Sequence, residues 1–409
     1  MSGLTQLKRF ASYSSFGAIS AFIGFITVPY LTRVLEPSDY GVIGVFLAVM
    51  QFIVPSLSFS SEGLVGIKKV QLDRDKYQNF INQYISLLFL VSLFLLLPGS
   101  VLTRIYSEYT FLLLAVPFIA FFQSLARMHY IELVQDGKSL WYGTYTITTA
   151  LFLLGFTYVG VSLIGLGWEG RVISVLAVEM LMFLCRLQFT FGSVRAFRFN
   201  LSKDFFVEIG IYGLPLMFLL VAAWVLNEAD RFIVLGYLSL SEVGIYTAAY
   251  SLGLAINVLN SAMTNTVVPV IYGLMKEGKG KKRLQRLSRQ YSLFILLVSL
   301  VASIGFYYFG ALILGDEFSA GVPVTCIILV AFGFNGMYRT VGLPLDYLKK
   351  NRLKAINFSL AAMVNITVSI TLLGYVGIMG PAIGTLVSFM LLYFLTRHFN
   401  HKYIANLAD

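Results

Sequence analysis

The chain is a succession of long apolar runs separated by short polar connectors, from residue 10 almost to its end. A helix needs about 20 apolar residues to cross the hydrocarbon of a bilayer. On that length the pattern predicts twelve spans: 10–33, 41–65, 80–101, 109–133, 140–163, 170–190, 207–237, 242–272, 290–314, 320–343, 354–374 and 377–397. Helices are expected because lipid offers no partner to a free backbone N–H or C=O. A membrane β-barrel would instead show alternating segments of about 10 residues. The two longest polar connectors, 191–206 and 273–289, are both basic, and none is long enough to fold by itself. The first apolar run lacks a small-residue cleavage site and reads as a retained first span. The predicted fold class is therefore an all-α polytopic membrane protein.

Composition agrees. The chain is 58% hydrophobic and 12% charged, against about 25% charged in soluble domains. Its net charge of +10 would suggest nucleic acid in a soluble protein, but here topology accounts for it. With the N-terminus placed inside and the spans alternating, all but four of the 30 Lys and Arg residues fall on the inner side. The exceptions are Arg33, Arg104, Arg171 and Arg231. Such a bias orients membrane proteins with the basic loops cytoplasmic, so both termini are expected there, and no nucleic-acid partner is expected. The basic loops would also meet anionic lipid. Cys185 and Cys326 lie in apolar runs and read as small packing residues. His129, His398 and His401 have no metal-ligand spacing, so neither a metal nor a cofactor is expected.

Two halves of the chain resemble each other. Pro37-Ser38-Asp39-Tyr40-Gly41 is echoed by Leu240-Ser241-Glu242-Val243-Gly244, and Gly167-Trp168-Glu169-Gly170 by Gly377-Ile378-Met379-Gly380. Gln123 precedes Arg127 by four residues, as Asn335 precedes Arg339. Three matches at similar separations predict two six-helix halves, 1–190 and 207–409, joined by a basic linker at 191–206 whose stretch from Arg195 to Asp204 would serve as the hinge. Six is even, so the repeat is parallel, and such halves commonly enclose a central cavity.

Pro29-Tyr30-Leu31-Thr32-Arg33-Val34-Leu35 with Asp39-Tyr40-Gly41, Asp230-Arg231 with Val243-Gly244-Ile245-Tyr246, and Gly167 to Arg171 together resemble bacterial polysaccharide-export flippases. The likeness is to the O-antigen flippases of the Wzx type, in the multidrug/oligosaccharidyl-lipid/polysaccharide superfamily. One departure is Glu36, where a glycine is common in the family. The resemblance implies a cavity between two bundles. It also implies that an undecaprenyl-diphosphate-linked oligosaccharide moves from the inner to the outer leaflet of the bacterial inner membrane. Other polysaccharide assembly proteins would be its partners. The rivals are a multidrug exporter of the same superfamily and a membrane polymerase or ligase. The first span has no Asp or Glu of the kind such exporters use, and no nucleophile–base pair, phosphate loop or long outer loop supports an enzyme.

Charges at membrane depth cost several kcal/mol or less if paired, and mark candidate sites. Arg127 and Arg339, with Gln123 and Asn335 one turn deeper, read either as two arms of a cationic mouth for a diphosphate or as side chains reaching the interface. Arg33 and Arg231 are further headgroup candidates. Glu228 and Asp230, beside Trp224, Asn227 and Arg231, read either as carriers of a coupling H+ or Na+ or as a structural ion pair. Glu179 has no charged neighbour within a turn of its helix and is either a protonation site for coupling or a hydrogen-bonded structural acid. Tyr246, Tyr250, Asn257, Ser261 and Thr264 share one helical face and either line the cavity or bond neighbouring helices. Glu62 is expected to pair with Lys68 or Lys69.

Overall fold

Each predicted span is built of helix, the second and eighth each from two helices. A computed structural model describes residues 3–190, 197–277 and 281–404, and among these no strand occurs. The helices are α1 (Gly3–Val34), α2 (Pro37–Leu57), α3 (Glu62–Gln71), α4 (Arg74–Leu102), α5 (Thr110–Gln135), α6 (Ser139–Thr157) and α7 (Gly167–Thr190). They continue with α8 (Lys203–Tyr237), α9 (Leu240–Gly253), α10 (Ala255–Glu277), α11 (Lys281–Ile313), α12 (Gly321–Tyr347), α13 (Asn351–Val376) and α14 (Met379–Ile404). Among the described residues eleven helical stretches are long and apolar enough to cross a membrane. The predicted sixth span is formed as α7.

The chain divides into two compact units, and neither is continuous in sequence. One comprises 1–27 and 46–221, the other 28–45 and 222–409. The boundaries thus differ from the 1–190 and 207–409 read from the repeat, for two local reasons. The first part of α8 belongs with α3 and α4: Phe205 meets Phe80 edge-on at 5.7 Å. The tip between α1 and α2 belongs with α9 and α11, as described below. Of the linker, residues 191–196, including Arg195, lie outside the described residues.

The first unit is built on Phe46, Val54, Tyr84, Leu88 and Ile119. Its second span breaks after Pro55, and α3 starts afresh at Glu62. The turn places Phe59 and Ser60 at φ 51° and 57° and is closed by the Ser60 N–H on the Pro55 carbonyl (2.7 Å). Gly213 of α8 lies so close to the Phe59 carbonyl that a Cβ there would overlap it. This break matters because it sets the direction in which Glu62 points.

The second unit is built on Tyr246, Tyr250, Ile328, Phe332, Phe389 and Leu392. Here the two echoed motifs touch. Gly41 lies against the Leu240 carbonyl and Gly244 against the Pro37 carbonyl, each too closely for a Cβ. Tyr40 meets Phe318 edge-on at 5.5 Å, and the Gly315 N–H reaches the Thr32 hydroxyl at 3.3 Å. The other echo is structural as well. Gly167 begins α7 and Gly377 stands between α13 and α14, at φ 55° and 56°. One turn later Gly170 packs on the backbone of Gly160, and Gly380 packs on that of Leu372 and Leu373.

Candidate functional site

Within the first unit, α2, α5, α6 and α7 enclose a cavity of about 250 Å³. A water takes up about 30 Å³ in the liquid, so the space is several waters in size. Its polar lining is Gln51, Gln123, Arg127, Thr149, Arg171 and Glu179, on walls of Phe46, Met50, Leu153, Val175 and Val178. Helical spacing explains the convergence: Gln123 and Arg127 are one turn apart on α5, and Arg171, Val175 and Glu179 follow at i, i+4 and i+8 on α7.

The charges are differently committed. Arg127 pairs with Glu62 at 3.3 Å, both partly exposed. Glu62 therefore does not pair with lysine as expected. Lys68 pairs with Glu208 and Lys69 with Asp136 at 3.0 Å, because the turn before α3 aims Glu62 at α5 instead. Arg171 donates to the Thr157 hydroxyl at 2.6 Å. Glu179 has one carboxylate oxygen, Oε2, that is buried with no hydrogen-bond partner. The acid that looked isolated along its own helix thus shares a cavity with two guanidinium groups. Further along α7, Arg186 is buried. It donates to the Tyr130 hydroxyl at 3.2 Å and stacks over the Tyr130 and Tyr145 rings.

In the second unit the run on α8 separates into two arrangements. Glu228 pairs with Arg231 at 2.8 Å, and Arg231 also donates to the Asn227 carbonyl at 3.0 Å and lies over the Tyr250 ring at 4.6 Å. Trp224 packs on Phe232. Asp230 is fully buried. Its Oδ2 accepts from the Tyr246 hydroxyl at 2.6 Å and the Thr385 hydroxyl at 2.7 Å. With the Asn365 amide oriented to satisfy its neighbours, its nitrogen donates to Oδ1 at 3.1 Å. Helices α8, α9, α13 and α14 thus meet on one carboxylate.

Tyr246 and Tyr250 are accordingly not cavity lining. Both are buried and face α8, where they serve Asp230 and Arg231. The stripe they began continues on α10 in a different role. Ser261 accepts from Arg339 Nη1 at 3.2 Å, and Asn335 accepts from Arg339 Nε at 3.0 Å. Among the described residues no carboxylate lies within 4 Å of Arg339. Asn257 and Thr264 each keep a buried oxygen without a hydrogen-bond partner. Arg33 lies apart from these groups: it is exposed and donates to the carbonyls of Pro29 (2.8 Å) and Leu312, tying the end of α1 to that of α11.

Sequence reasoning missed Arg171, Thr385 and Asn365. Arg171 was available, since it repeats at i, i+4, i+8 with Glu179. Thr385 and Asn365 are ordinary span residues on helices distant in sequence from Asp230, and no local signal marks them.

Comparison with known proteins follows the same lines. The family described as polysaccharide biosynthesis protein matches residues 7–275. Among solved structures, the lipid II flippase MurJ in an inward closed conformation is similar with a TM-score of 0.71 at 16% identity, over 95% of this chain and 87% of that one. An inward-facing multidrug resistance MATE family transporter of the MOP superfamily is similar with a TM-score of 0.66 at 14% identity, over 95% of each chain. An outward-facing one gives 0.65 at 13% identity, over 100% of this chain and 99% of that one. No curated protein matches the chain by sequence.

Proposed function

The chain belongs to the polysaccharide biosynthesis protein family, and on that premise we propose that it is a flippase. It carries an undecaprenyl-diphosphate-linked oligosaccharide between the leaflets of the bacterial inner membrane, from the cytoplasmic to the periplasmic side, by alternating access. The observation that carries this reading is the cavity of the first unit, where Arg127 and Arg171 converge with Gln123 and Thr149. Guanidinium groups pair with phosphate oxygens in a bidentate way, and a diphosphate is the charged part of such a cargo. In the second unit Arg339, which among the described residues has only amide and hydroxyl partners, is a separate candidate for the same chemistry.

Of the three candidates for coupling to H+ or Na+, we assign Glu179. Glu228 is paired with Arg231, and Asp230 already accepts from three donors. Glu179 alone lines the cavity with an oxygen that lacks a partner. A buried acceptor left unsatisfied is costly, and a bound proton or cation relieves that cost. Binding of the anionic headgroup to the arginines and loading of Glu179 then alter one another's energetics directly, since all line one small space.

A multidrug exporter is the second reading, favoured by the comparable likeness to MATE transporters. An arginine-lined cavity suits an anionic cargo better than a cationic drug. Deleting the gene in its host and locating the undecaprenyl-linked glycan separates the readings. Glycan trapped on the inner leaflet is the result expected. Shortened chains would point to a polymerase, and drug sensitivity without trapped glycan to an exporter. Either would overturn the proposal.

A further inference from the structure

A cavity in the second unit does not belong to the site above. It has a volume of about 600 Å³ and lies between α11, α12 and α14, at the basic ends of α11 and α14. Its charged lining is Lys282, Arg286, Arg289 and Arg397, with His401 beside them and, among the described residues, no carboxylate. Arg286, Arg289 and Arg397 are exposed. Among the described residues none of the three has a carboxylate within 4 Å. Arg397 donates to the Tyr393 hydroxyl at 3.0 Å, which steadies one guanidinium at the wall. Leu284 and Val341 form an apolar side.

Ordinary solvated basic residues would account for the arginines alone. They do not account for the hydroxyls. Ser288 and Ser292 also line this cavity, at 9% and 3% exposure, and the hydroxyl oxygen of each is buried with no hydrogen-bond partner. Buried hydroxyls are normally satisfied. Two unsatisfied donors on successive turns of α11, beneath three guanidiniums that have no carboxylate partner among the described residues, form a receptor for an anion with several acceptor oxygens. The apolar side and the position at the end of two spanning helices match a headgroup whose chains remain in lipid. Basic pockets between membrane helices hold such headgroups.

We propose that this cavity is a second anion site, which takes a phosphate ester: the headgroup of an anionic membrane lipid, or a soluble phosphate of the same chemistry. Arg286, Arg289 and Arg397 hold the phosphate oxygens, and Ser288 and Ser292 donate to it from below. The inference goes beyond the flippase reading and does not depend on it, because the residues are different and lie in the other unit.

The test uses the purified full-length chain, stripped of lipid in detergent. Phosphatidylglycerol and phosphatidylcholine are titrated in turn and retained lipid is read by native mass spectrometry. Inorganic pyrophosphate is titrated separately and read by thermal shift. The variants are Arg289→Gln with Arg397→Gln, and Arg352→Gln as a control on another exposed arginine. Phosphatidylglycerol retained in preference to phosphatidylcholine, with at least a tenfold loss in the double variant and none in the control, supports a lipid occupant. Stabilisation by pyrophosphate alone, lost in the double variant, supports a soluble one. Lipid retention and pyrophosphate stabilisation both unchanged in the double variant, or lowered equally in the control, overturn the proposal. Should the double variant unfold at a lower temperature without ligand, Arg286→Gln alone carries the same comparison. Export is not the readout, so failure here is distinguishable from failure of the flippase reading.

Discussion

Glu179 and Asp230 are both carboxylates among apolar helices, yet their surroundings differ in kind. Asp230 is enclosed by donors from three other helices, whereas Glu179 faces a cavity with an oxygen unpaired. Hydrogen bonds to charged groups contribute about 1.5–3 kcal/mol each in water-soluble proteins, and less between membrane helices, where the reference state also finds partners. Asp230 is therefore expected to act through stability. Asp230→Ala should leave three donors unmatched and lower stability by on the order of 2–5 kcal/mol, seen as a lower unfolding temperature in detergent. Glu179→Gln should instead keep the unfolding temperature and abolish the dependence of transport on an imposed pH or sodium gradient. Gradient-driven transport that survives in Glu179→Gln would remove the coupling assignment. Arg339→Ala and Arg127→Ala should each reduce export by tenfold or more at normal protein levels. Unchanged export in both would discard the headgroup role. At this scale the sequence showed which residues break the apolar pattern. It did not show that Tyr246 and Tyr250 are spent on Asp230 and Arg231, because a hydroxyl on a helix face looks the same whether it meets a cavity or a carboxylate.

At the scale of elements, α7 and the α1–α2 tip are the instructive cases. Helix α7 carries Glu169, Arg171, Glu179 and Arg186, and its side chains sort three of them: Glu179 and Arg171 turn into a cavity and Arg186 onto tyrosine rings. Such neighbours remove much of the cost of charge at membrane depth. The tip is held by reciprocal glycine contacts, Gly41 on Leu240 and Gly244 on Pro37. Here a Cβ has no room against a backbone carbonyl, which cannot rotate aside as a side chain would. Gly244→Val should therefore displace α9 from the tip, lower the unfolding temperature and impair export. Gly236→Ala, where nothing lies within 4 Å of the added Cβ, should do neither. A Gly244→Val variant as stable as the native chain would show that the contact is dispensable. The repeat made these glycines visible from spacing alone. That the two copies of the motif touch each other was invisible, since a repeat states likeness and not proximity.

At the scale of the whole molecule, the distribution of the 30 basic residues makes a topological prediction. A fluorescent protein that matures only in the cytoplasm, fused after Asp409, should fluoresce. With Cys185 and Cys326 replaced by serine, Glu108→Cys in the exposed turn before α5 should react with an impermeant thiol reagent from outside intact cells. Absence of labelling, or a dark fusion, would reverse the orientation. The sequence by itself determined the class of the protein, the positions of its spans, its internal repeat and the charged residues to examine. These are properties of local composition and periodicity, and lipid as a solvent enforces them residue by residue. Only the tertiary structure decided that residues 28–45 group with the second unit and 203–221 with the first, that Glu62 meets Arg127, and which of three acidic residues has an unpaired oxygen. Those outcomes depend on which helix lies beside which, and at any one position a dozen apolar helices offer nearly interchangeable faces until they are packed.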